Sequence, residues 1–323
     1  MPPGLRDKLE EHKVEGRTVF IITQNKLLSG SGLMYPKLIP ALLSFVRKYS
    51  YILPNPLEIK LNFDDENYYA RARDGDLLII NVIAYLNHKF ELEPTFVHES
   101  VHLFQYRVSL YRELYNKKSI KLVEKLNLID RSRNYNFWYL FHHLRLDLDH
   151  FYSNVSVEGL ATFSEEFVNS VNFERFILSP QYELNNDFLK TRIWVDDLIR
   201  MWTLVINYFK KSQSLSDSHW HEIYHGKKGL KNIMDWAKYN IGNHMVKVCL
   251  YAQQGKNFED IIKMSSFKFI KFYELCALSL GEKPLVSLTS GKGFLDYKRM
   301  LKELNEIYAL YKKQGRLKEM IVE

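Results

Sequence analysis

The spacing of hydrophobic positions changes about a third of the way along the chain, and the change predicts two kinds of structure. Residues 18–23 form a β-branched run, and residues 57–63 alternate between apolar and polar side chains, as half-buried strands do. Two further runs flank Asp74-Gly75, where glycine tolerates the positive φ of a tight hairpin turn. The sequence therefore predicts a small β-sheet, whose strand at 77–80 is apolar enough to be covered on both faces.

Helical spacing dominates the rest of the chain. Pro36 is placed to begin a first helix whose apolar residues up to Val46 share one face. Asn154 and Ser156 are candidate N-caps for a helix that begins at residue 157. The helices after the sheet are predicted over 94–115, 117–128, 135–148, 157–170, 185–211, 229–253, 257–280 and 294–313. The fold class is therefore α+β, with strands in the N-terminal third followed by a mainly α-helical body.

We expect three parts along the chain. Residues 1–92 form an α/β part with the hairpin, residues 93–281 form a helical part, and residues 282–323 form a linker and a C-terminal helix that packs on the body. The last hairpin strand either has an edge that pairs with an extended peptide or is an ordinary sheet strand. The sequence leaves these two alternatives open.

Composition indicates a soluble, cytoplasmic protein. The 323 residues are 46% hydrophobic, which is enough to bury a sizeable core. Cys249 and Cys276 lie in apolar helical runs, so we expect buried thiols in a reducing compartment. The N-terminal residues are charged, and no apolar run reaches the length of a membrane span, so neither a signal peptide nor a membrane partner is expected.

The net charge of +7 comes from 45 basic and 38 acidic residues that are spread along the chain. A dispersed excess of this size is typical of a solvated surface. No zinc-finger spacing or phosphate-binding loop accompanies it, so no nucleic-acid partner is expected.

The strongest chemical signal is TFVHESVHLFQY at 95–106, which contains H-E-x-x-H as His98, Glu99 and His102. Residues four apart lie on one face of a helix, so both imidazoles can bind a single ion. Glu99 lies about 100° round the helix, beside the ion, where it can act as a general base toward water. The flanking side chains are apolar, as a helix that crosses the core requires.

A second H-E-x-x-H, at 221–225, lies in a different setting. It follows the polar run SQSLSDS and precedes Gly226-Lys227-Lys228. A buried metal-binding helix needs apolar residues after the second histidine. We therefore predict that this motif lies in a loop or a single turn and binds no metal.

Two histidines leave a catalytic zinc one protein ligand short, and its fourth position belongs to water. Glu158, in VEGLATFSEEF, is the best candidate for the missing ligand, because an unpaired carboxylate on an apolar helix face is costly to bury. Gly159 beside it would let another backbone approach closely. The alternative is that Glu158 only caps the start of its helix.

The segment FHHLRLDLDHF at 141–151 offers further candidates. His143 with Asp147, or His142 with His150, have spacings that suit metal ligands. A solvated helix face or the rim of a cleft suits the alternating charges better. A carboxylate here is better placed to hydrogen-bond the far nitrogen of His98 or His102 than to bind the metal.

The order of these motifs resembles that of the gluzincin metallopeptidases, and within them the aminopeptidase N branch. There, H-E-x-x-H is followed by N-E-G-F-A-x-Y-x-E, whose first glutamate is the third zinc ligand, and this chain has VEGLATFSE at 157–165. Further on, the branch has Y-x-K-G, whose tyrosine stabilises the oxyanion, and this chain has YNIG at 239–242. The resemblance implies a zincin-like fold, one Zn²⁺ ion bound by His98, His102 and Glu158, and an oxyanion-stabilising Tyr239.

The chain departs from the branch in several places. Val157, Phe163 and Ile241 replace the asparagine, tyrosine and lysine of those motifs, and no G-x-M-E-N precedes the metal-binding helix. The resemblance therefore implies a peptidase-type zinc centre without aminopeptidase specificity. Tyr152, Tyr106 and His244 are alternatives to the tyrosine at 239.

We therefore expect a zinc-dependent metallohydrolase, most simply a peptidase acting on a peptide or protein substrate. Glu99 is the expected general base, and Tyr239 is expected to donate to the developing oxyanion. The alternative is a non-catalytic scaffold or regulator that keeps the zincin fold and binds a peptide or protein partner in the cleft. The substituted motif positions favour that alternative, whereas the intact His98-Glu99-His102 set favours the enzyme.

Overall fold

A computed structural model describes most of the chain, and its fold class is α+β, as predicted. The described residues are 8–23, 35–63, 68–87, 89–107, 137–168, 180–211, 217–252 and 258–313. The predicted helix at 117–128 lies outside them. The chain divides into two compact units. The first contains the described residues between 8 and 107 together with 161–168, and the second contains 137–160 and the described residues between 180 and 313.

The first unit is built on a five-stranded mixed sheet. Its strands are β1 (Lys8–Val14), β2 (Arg17–Thr23), β3 (Leu57–Asn62), β4 (Ala70–Arg73) and β5 (Leu77–Asn81), in the order β1-β2-β3-β5-β4. β2, β3 and β5 run parallel, while β1 and β4 are antiparallel edge strands. The last hairpin strand, β5, pairs with β3 on one side and β4 on the other, so it is an ordinary sheet strand without the peptide-binding edge considered for it, and the edge belongs to the first hairpin strand, β4. The β4–β5 turn has Asp74 and Gly75 at φ 56° and 84°, which confirms the predicted hairpin.

Three helices accompany this sheet among the described residues up to position 107. They are α1 (Tyr35–Lys48), α2 (Val82–Leu86) and α3 (Leu92–Arg107). The rings of Phe45 on α1 and Phe96 on α3 lie 5.7 Å apart, centre to centre. In β5, Leu78, Ile79 and Ile80 are all buried, which confirms a strand covered on both faces.

Strand β1 is absent from the sequence prediction, which treated the N-terminal residues only as a charged segment. The strand is an exposed edge, where charged side chains are tolerated, and Leu9 is itself largely exposed. Its backbone pairs with β2 through a turn at Glu15 and Gly16, both of which have positive φ. The residues of β1 have little strand propensity of their own, so its structure depends on pairing with β2, whose residues favour a strand.

Helix α4 (Phe137–Val168) corrects the prediction of two separate helices with a boundary near residue 156. The proposed caps bond inside one continuous helix instead. The Ser156 hydroxyl donates to the carbonyl of Ser153, and the Asn154 amide lies 2.7 Å from Nε2 of His150. Both residues are buried, so their polar groups are satisfied locally without ending the helix.

The second unit is mainly helical. After α4 it contains α5 (Pro180–Lys211), α6 (Asp217–Trp220), a π-helical turn (His221–His225), α7 (Leu230–Ala252), α8 (Phe258–Ile262), α9 (Ser266–Ser279), β6 (Val286–Ser287), β7 (Leu295–Asp296) and α10 (Tyr297–Lys313). The single helix predicted at 257–280 is therefore interrupted, giving α8 and α9. Helix α10 is tied to α5, because the Trp202 indole donates to Glu303 and the Tyr311 hydroxyl donates to the carbonyl of Phe209.

Within the described part of the chain, every helix is either too short or too polar to cross a lipid bilayer.

Candidate metal centre

The first H-E-x-x-H lies on α3, as predicted, and its two histidines face each other. Nε2 of His98 lies 3.2 Å from Nε2 of His102. Two nitrogens bound to one tetrahedral zinc at about 2.0–2.1 Å are separated by roughly 3.3 Å. The spacing of the two imidazole nitrogens therefore fits a shared ion.

The other nitrogen of each ring lies near a side-chain oxygen. Nδ1 of His98 lies 3.2 Å from Oε2 of Glu165, and Nδ1 of His102 lies 3.0 Å from Oε1 of Gln105. Both oxygens accept hydrogen bonds, so Nδ1 is the nitrogen that carries the proton in each ring. The lone pairs are then on the two Nε2 atoms, which is the arrangement in which both rings can bind a metal ion through Nε2.

Glu158 completes the cluster. It lies on α4, and one oxygen of its carboxylate and one nitrogen from each of His98 and His102 all lie within 4.8 Å of one another. Two imidazoles and one carboxylate are the donor set of many catalytic zinc sites. Among the described residues, this is the one group of three or more metal-ligating side chains.

Close packing between α4 and α7 fixes the part of α4 that carries Glu158. A Cβ atom on Gly159 would lie 2.6 Å from the carbonyl oxygen of Gly242, and a Cβ on Gly242 would lie 2.6 Å from Cα of Gly159. Only two glycines allow the backbones to approach this closely. The expectation that Gly159 permits a close approach is confirmed.

The carboxylate partner of His98 differs from the expected one. The sequence favoured a carboxylate from 141–151, but Asp147 accepts from the Tyr224 hydroxyl and Asp149 accepts from Arg145 and Tyr297. Glu165 takes the role instead. It follows Glu158 by seven residues, which is two helical turns, so the two carboxylates share one face of α4.

Glu99 lies beside the two histidines and contacts the edge of the sheet. Its Oε2 accepts a hydrogen bond of 2.7 Å from the backbone N–H of Ala72 in β4. One carboxylate oxygen is thereby held in place by the backbone of the edge strand.

Tyr239 lies on α7 and is half-buried, with its ring centre 5.0 Å from Nζ of Lys238. Its role at the oxyanion stays a prediction. Of the alternatives, Tyr152 is fully buried and its hydroxyl contacts the sulfur of Met300. His244 is also buried, with its ring against Phe188, whereas Tyr106 is exposed.

Lys238 is a charged residue of the site that the sequence analysis missed. Its Nζ lies 3.6 Å from Oε1 of Glu158, and both side chains are half-buried. A signal was present, because Lys238 precedes Gly242 by one helical turn and so lies on the same face of α7. That signal has meaning only when the packing of Gly242 on Gly159 is known.

A cavity of about 260 Å³ adjoins this ion pair. It is lined by residues of α4 and α7, namely Asp147, His150, Phe151, Asn154, Lys231, Met234, Asp235 and Lys238. Burial, and to a smaller extent the charge of Lys238, lowers the pKa of His150 below its ordinary value.

The second H-E-x-x-H forms the π-helical turn His221–His225, in agreement with the predicted single turn. His221, Glu222 and His225 are exposed, and the two imidazole ring centres are 5.4 Å apart. Within the described residues, no third metal-ligating side chain joins them.

No protein-family model, curated protein sequence or solved structure matches this chain.

Proposed function

We propose that this protein is a zinc-dependent metallohydrolase that cleaves peptide bonds. The observation that carries the proposal is the orientation of His98 and His102. Both Nδ1 atoms are engaged by oxygen acceptors, the two Nε2 atoms lie 3.2 Å apart, and Glu158 belongs to the same cluster of potential ligand atoms. A zincin-like fold and the identity of the ion as zinc are parts of the same proposal.

Zinc at this position would supply a Lewis acid and lower the pKa of water. Glu99 is next to the ligands, and its Oε2 is held by Ala72. It removes the proton from the water that attacks the scissile carbonyl carbon, and the C–N bond then breaks. Glu99 delivers the proton to the leaving amine nitrogen, so that the base is regenerated.

The edge strand beside Glu99 supports a peptide as substrate. Ala72 directs its N–H away from β5 and toward Glu99. In a regular strand the groups of residues two apart point the same way, so Ala70 presents its backbone on that side as well. Within the described residues β4 has no other strand neighbour, and an extended peptide can pair with such an edge. Because the N–H of Ala72 donates to Glu99, the pairing would be made through the backbone of Ala70.

The two H-E-x-x-H motifs allow a matched test of the base. Glu99→Gln keeps the shape of the side chain but removes its basicity. We expect full zinc content and a loss of turnover of at least about a hundredfold on a mixed peptide library. Glu222→Gln, the same substitution in the exposed second motif, should leave both unchanged. Wild-type turnover in the Glu99→Gln protein would remove Glu99 from the mechanism.

Zinc content tests the ligands independently of activity. Mass spectrometry of the metals in purified protein is expected to find one zinc per chain. Glu158→Ala should reduce the zinc retained after dialysis against a weak chelator, while the double variant His221→Ala, His225→Ala should retain it. Unchanged zinc retention in Glu158→Ala would exclude that carboxylate as a ligand. If the wild-type protein contains zinc but cleaves no peptide, the non-catalytic scaffold is the better interpretation.

A further inference from the structure

The cavity beside Glu158 has charged groups of opposite sign at different positions along its length. Lys238 marks the end next to the metal-ligand candidate, since its Nζ lies 3.6 Å from Glu158. Asp147 precedes Glu158 by eleven residues, about three helical turns, and lines the cavity farther along α4. These two charges are half-buried, whereas Lys231 and Asp235 are exposed.

Exposed charges are screened by solvent and hold no fixed geometry. The half-buried pair therefore determines which ligand the cavity prefers. The position of Asp147 is fixed further by Tyr224, a buried residue whose hydroxyl donates to the Asp147 carboxylate. This contact engages one oxygen and leaves the carboxylate charge at the cavity wall.

The position of Lys238 relative to the candidate ion limits what can bind to it. A zinc–carboxylate bond is about 2 Å long, so Nζ lies within about 6 Å of an ion held by that oxygen of Glu158. In a peptide, the α-carboxylate of the last residue follows the last scissile carbonyl at a comparable distance. An internal peptide bond has no charge at this place.

The size of the cavity fits the same ligand. A volume of about 260 Å³ is slightly below the range of about 300–1,000 Å³ that is typical of pockets for drug-sized ligands, so the cavity suits a ligand of the size of a single residue better than a longer segment. Phe151 and Met234 are buried and supply apolar wall for a long aliphatic side chain. A cationic group at the end of that side chain would meet Asp147.

We propose that the cavity binds the C-terminal residue of a peptide substrate and that this residue is lysine or arginine. Lys238 binds the α-carboxylate, and Asp147 binds the side-chain cation. The inference rests on the proposed function and makes the protein a carboxypeptidase for basic C-termini. Water adds to the last scissile carbonyl carbon, the C–N bond breaks, and the freed amine takes a proton, which releases one free amino acid.

Three peptides of one sequence test the substrate class. The first ends in lysine with a free carboxylate, the second in lysine amide, and the third in norleucine, which lacks the ammonium group. We expect release of the last residue of the first peptide with a kcat/KM about tenfold to a hundredfold above the other two, as expected for lost charge-assisted contacts. Equal cleavage of acid and amide, or of internal bonds, would overturn the inference.

Two variants separate the two contacts. Lys238→Gln should lower kcat/KM for the free-acid peptide about tenfold to a hundredfold and abolish the preference for acid over amide, with zinc content unchanged. Asp147→Asn keeps the acceptor for Tyr224 and should abolish only the preference for lysine over norleucine. Lys231→Gln, at the exposed rim of the same cavity, is the matched control and should change neither preference.

A calorimetric titration of the protein with free L-lysine measures the affinity of the cavity without requiring turnover. Wild-type protein should bind L-lysine at least about tenfold more tightly than norleucine or cadaverine, and Asp147→Asn should lose that difference. Equal affinities would overturn the cavity assignment even if peptides are cleaved.

The peptide experiments distinguish a failure of this inference from a failure of the proposed function. Cleavage that depends on Glu99 but not on the C-terminal residue would contradict this inference and leave the proposed function standing. Zinc-loaded protein that cleaves no peptide would contradict the proposed function itself.

Discussion

At the scale of single residues, the orientation of two imidazole rings decides whether the cluster can hold an ion. Glu165 and Gln105 accept from the Nδ1 atoms, and the opposite nitrogens of His98 and His102 are left 3.2 Å apart. Free rotation of either ring would exchange a ligand atom for a protonated nitrogen. The second motif shows the contrast, since His221 and His225 are both exposed.

Glu165 is therefore predicted to affect metal affinity without touching the metal. Glu165→Leu removes the acceptor for His98, so we expect the zinc dissociation constant to rise about tenfold to a hundredfold. Glu165→Gln keeps an acceptor oxygen and should have a smaller effect. The measurement is a titration against a chromogenic chelator, with Glu166→Leu as the neighbouring control. An unchanged affinity in Glu165→Leu would show that the ring does not need this partner.

The sequence was sufficient for some residues of the site and not for others. His98, Glu99 and His102 are recognisable because their spacing is a property of one helix. Glu165 was within reach of the same reasoning, since it lies two turns after Glu158 on one face. Lys238 was not, because its pairing with Glu158 depends on the packing of two helices that are distant in sequence.

At the scale of helices and strands, α4 is the element that the sequence described least well. Asn154 and Ser156 are residue types that often begin a helix, but here they are buried in the middle of one. Their side chains hydrogen-bond to the preceding turn of the helix. A propensity scale does not distinguish this kind of hydrogen bond from helix N-capping. Strand β1 was missed for a related reason, because an edge strand obtains its structure from its partner.

The contact between Gly159 and Gly242 gives a prediction for this scale. Gly242→Ala places a methyl group against the backbone of α4, so the helices must separate. We expect the free energy of unfolding to fall by about 2–4 kcal/mol and zinc to be retained less well, because Glu158 moves with α4. Asn240→Ala, an exposed site on α7, is the control and should change the unfolding free energy by less than about 1 kcal/mol.

Urea unfolding and zinc retention on both variants check this. Wild-type stability in the Gly242→Ala protein would mean that the two backbones can separate without cost. Reduced stability with normal zinc retention would mean that the position of Glu158 does not depend on this contact.

At the scale of the whole molecule, the sequence predicted the class of fold. The change from alternating to helical spacing correctly placed a small sheet before a helical body. The two compact units each combine segments from distant parts of the chain, and α4 contributes residues to both. Local spacing carries no information about which distant segments pack together.

One buried group links the stability of the molecule to pH. His244 is 1% exposed, and within the described residues neither ring nitrogen has a hydrogen-bond partner. Burial lowers the pKa of His244 from 6.5 to about 4. The negative charge of Asp187 raises this pKa, and the positive charge of Lys247 lowers it. Between those pH values the unfolded chain binds a proton that the folded chain does not. Stability is therefore lost as the pH falls from 6.5 toward 4.

Replacing this histidine should remove that loss. His244→Leu is apolar and similar in size, so we expect its unfolding free energy to fall about 2 kcal/mol less than that of the wild type between pH 7 and pH 5. Urea titrations at both pH values on zinc-free protein measure the difference. His219→Leu, an exposed histidine, should behave like the wild type. Parallel pH profiles for wild type and His244→Leu would show that His244 is protonated in the folded protein.

The unbroken course of α4 has a consequence for natural variation. Asp147, Glu158 and Glu165 lie on one rigid rod, and each added or deleted residue between them would rotate one group by about 100° relative to the next. Homologues that keep all three roles should therefore align without gaps across this interval, even where the intervening amino acids differ. A chain with an insertion there would have to give up either the metal ligand, the residue that orients the imidazole, or the acidic cavity wall.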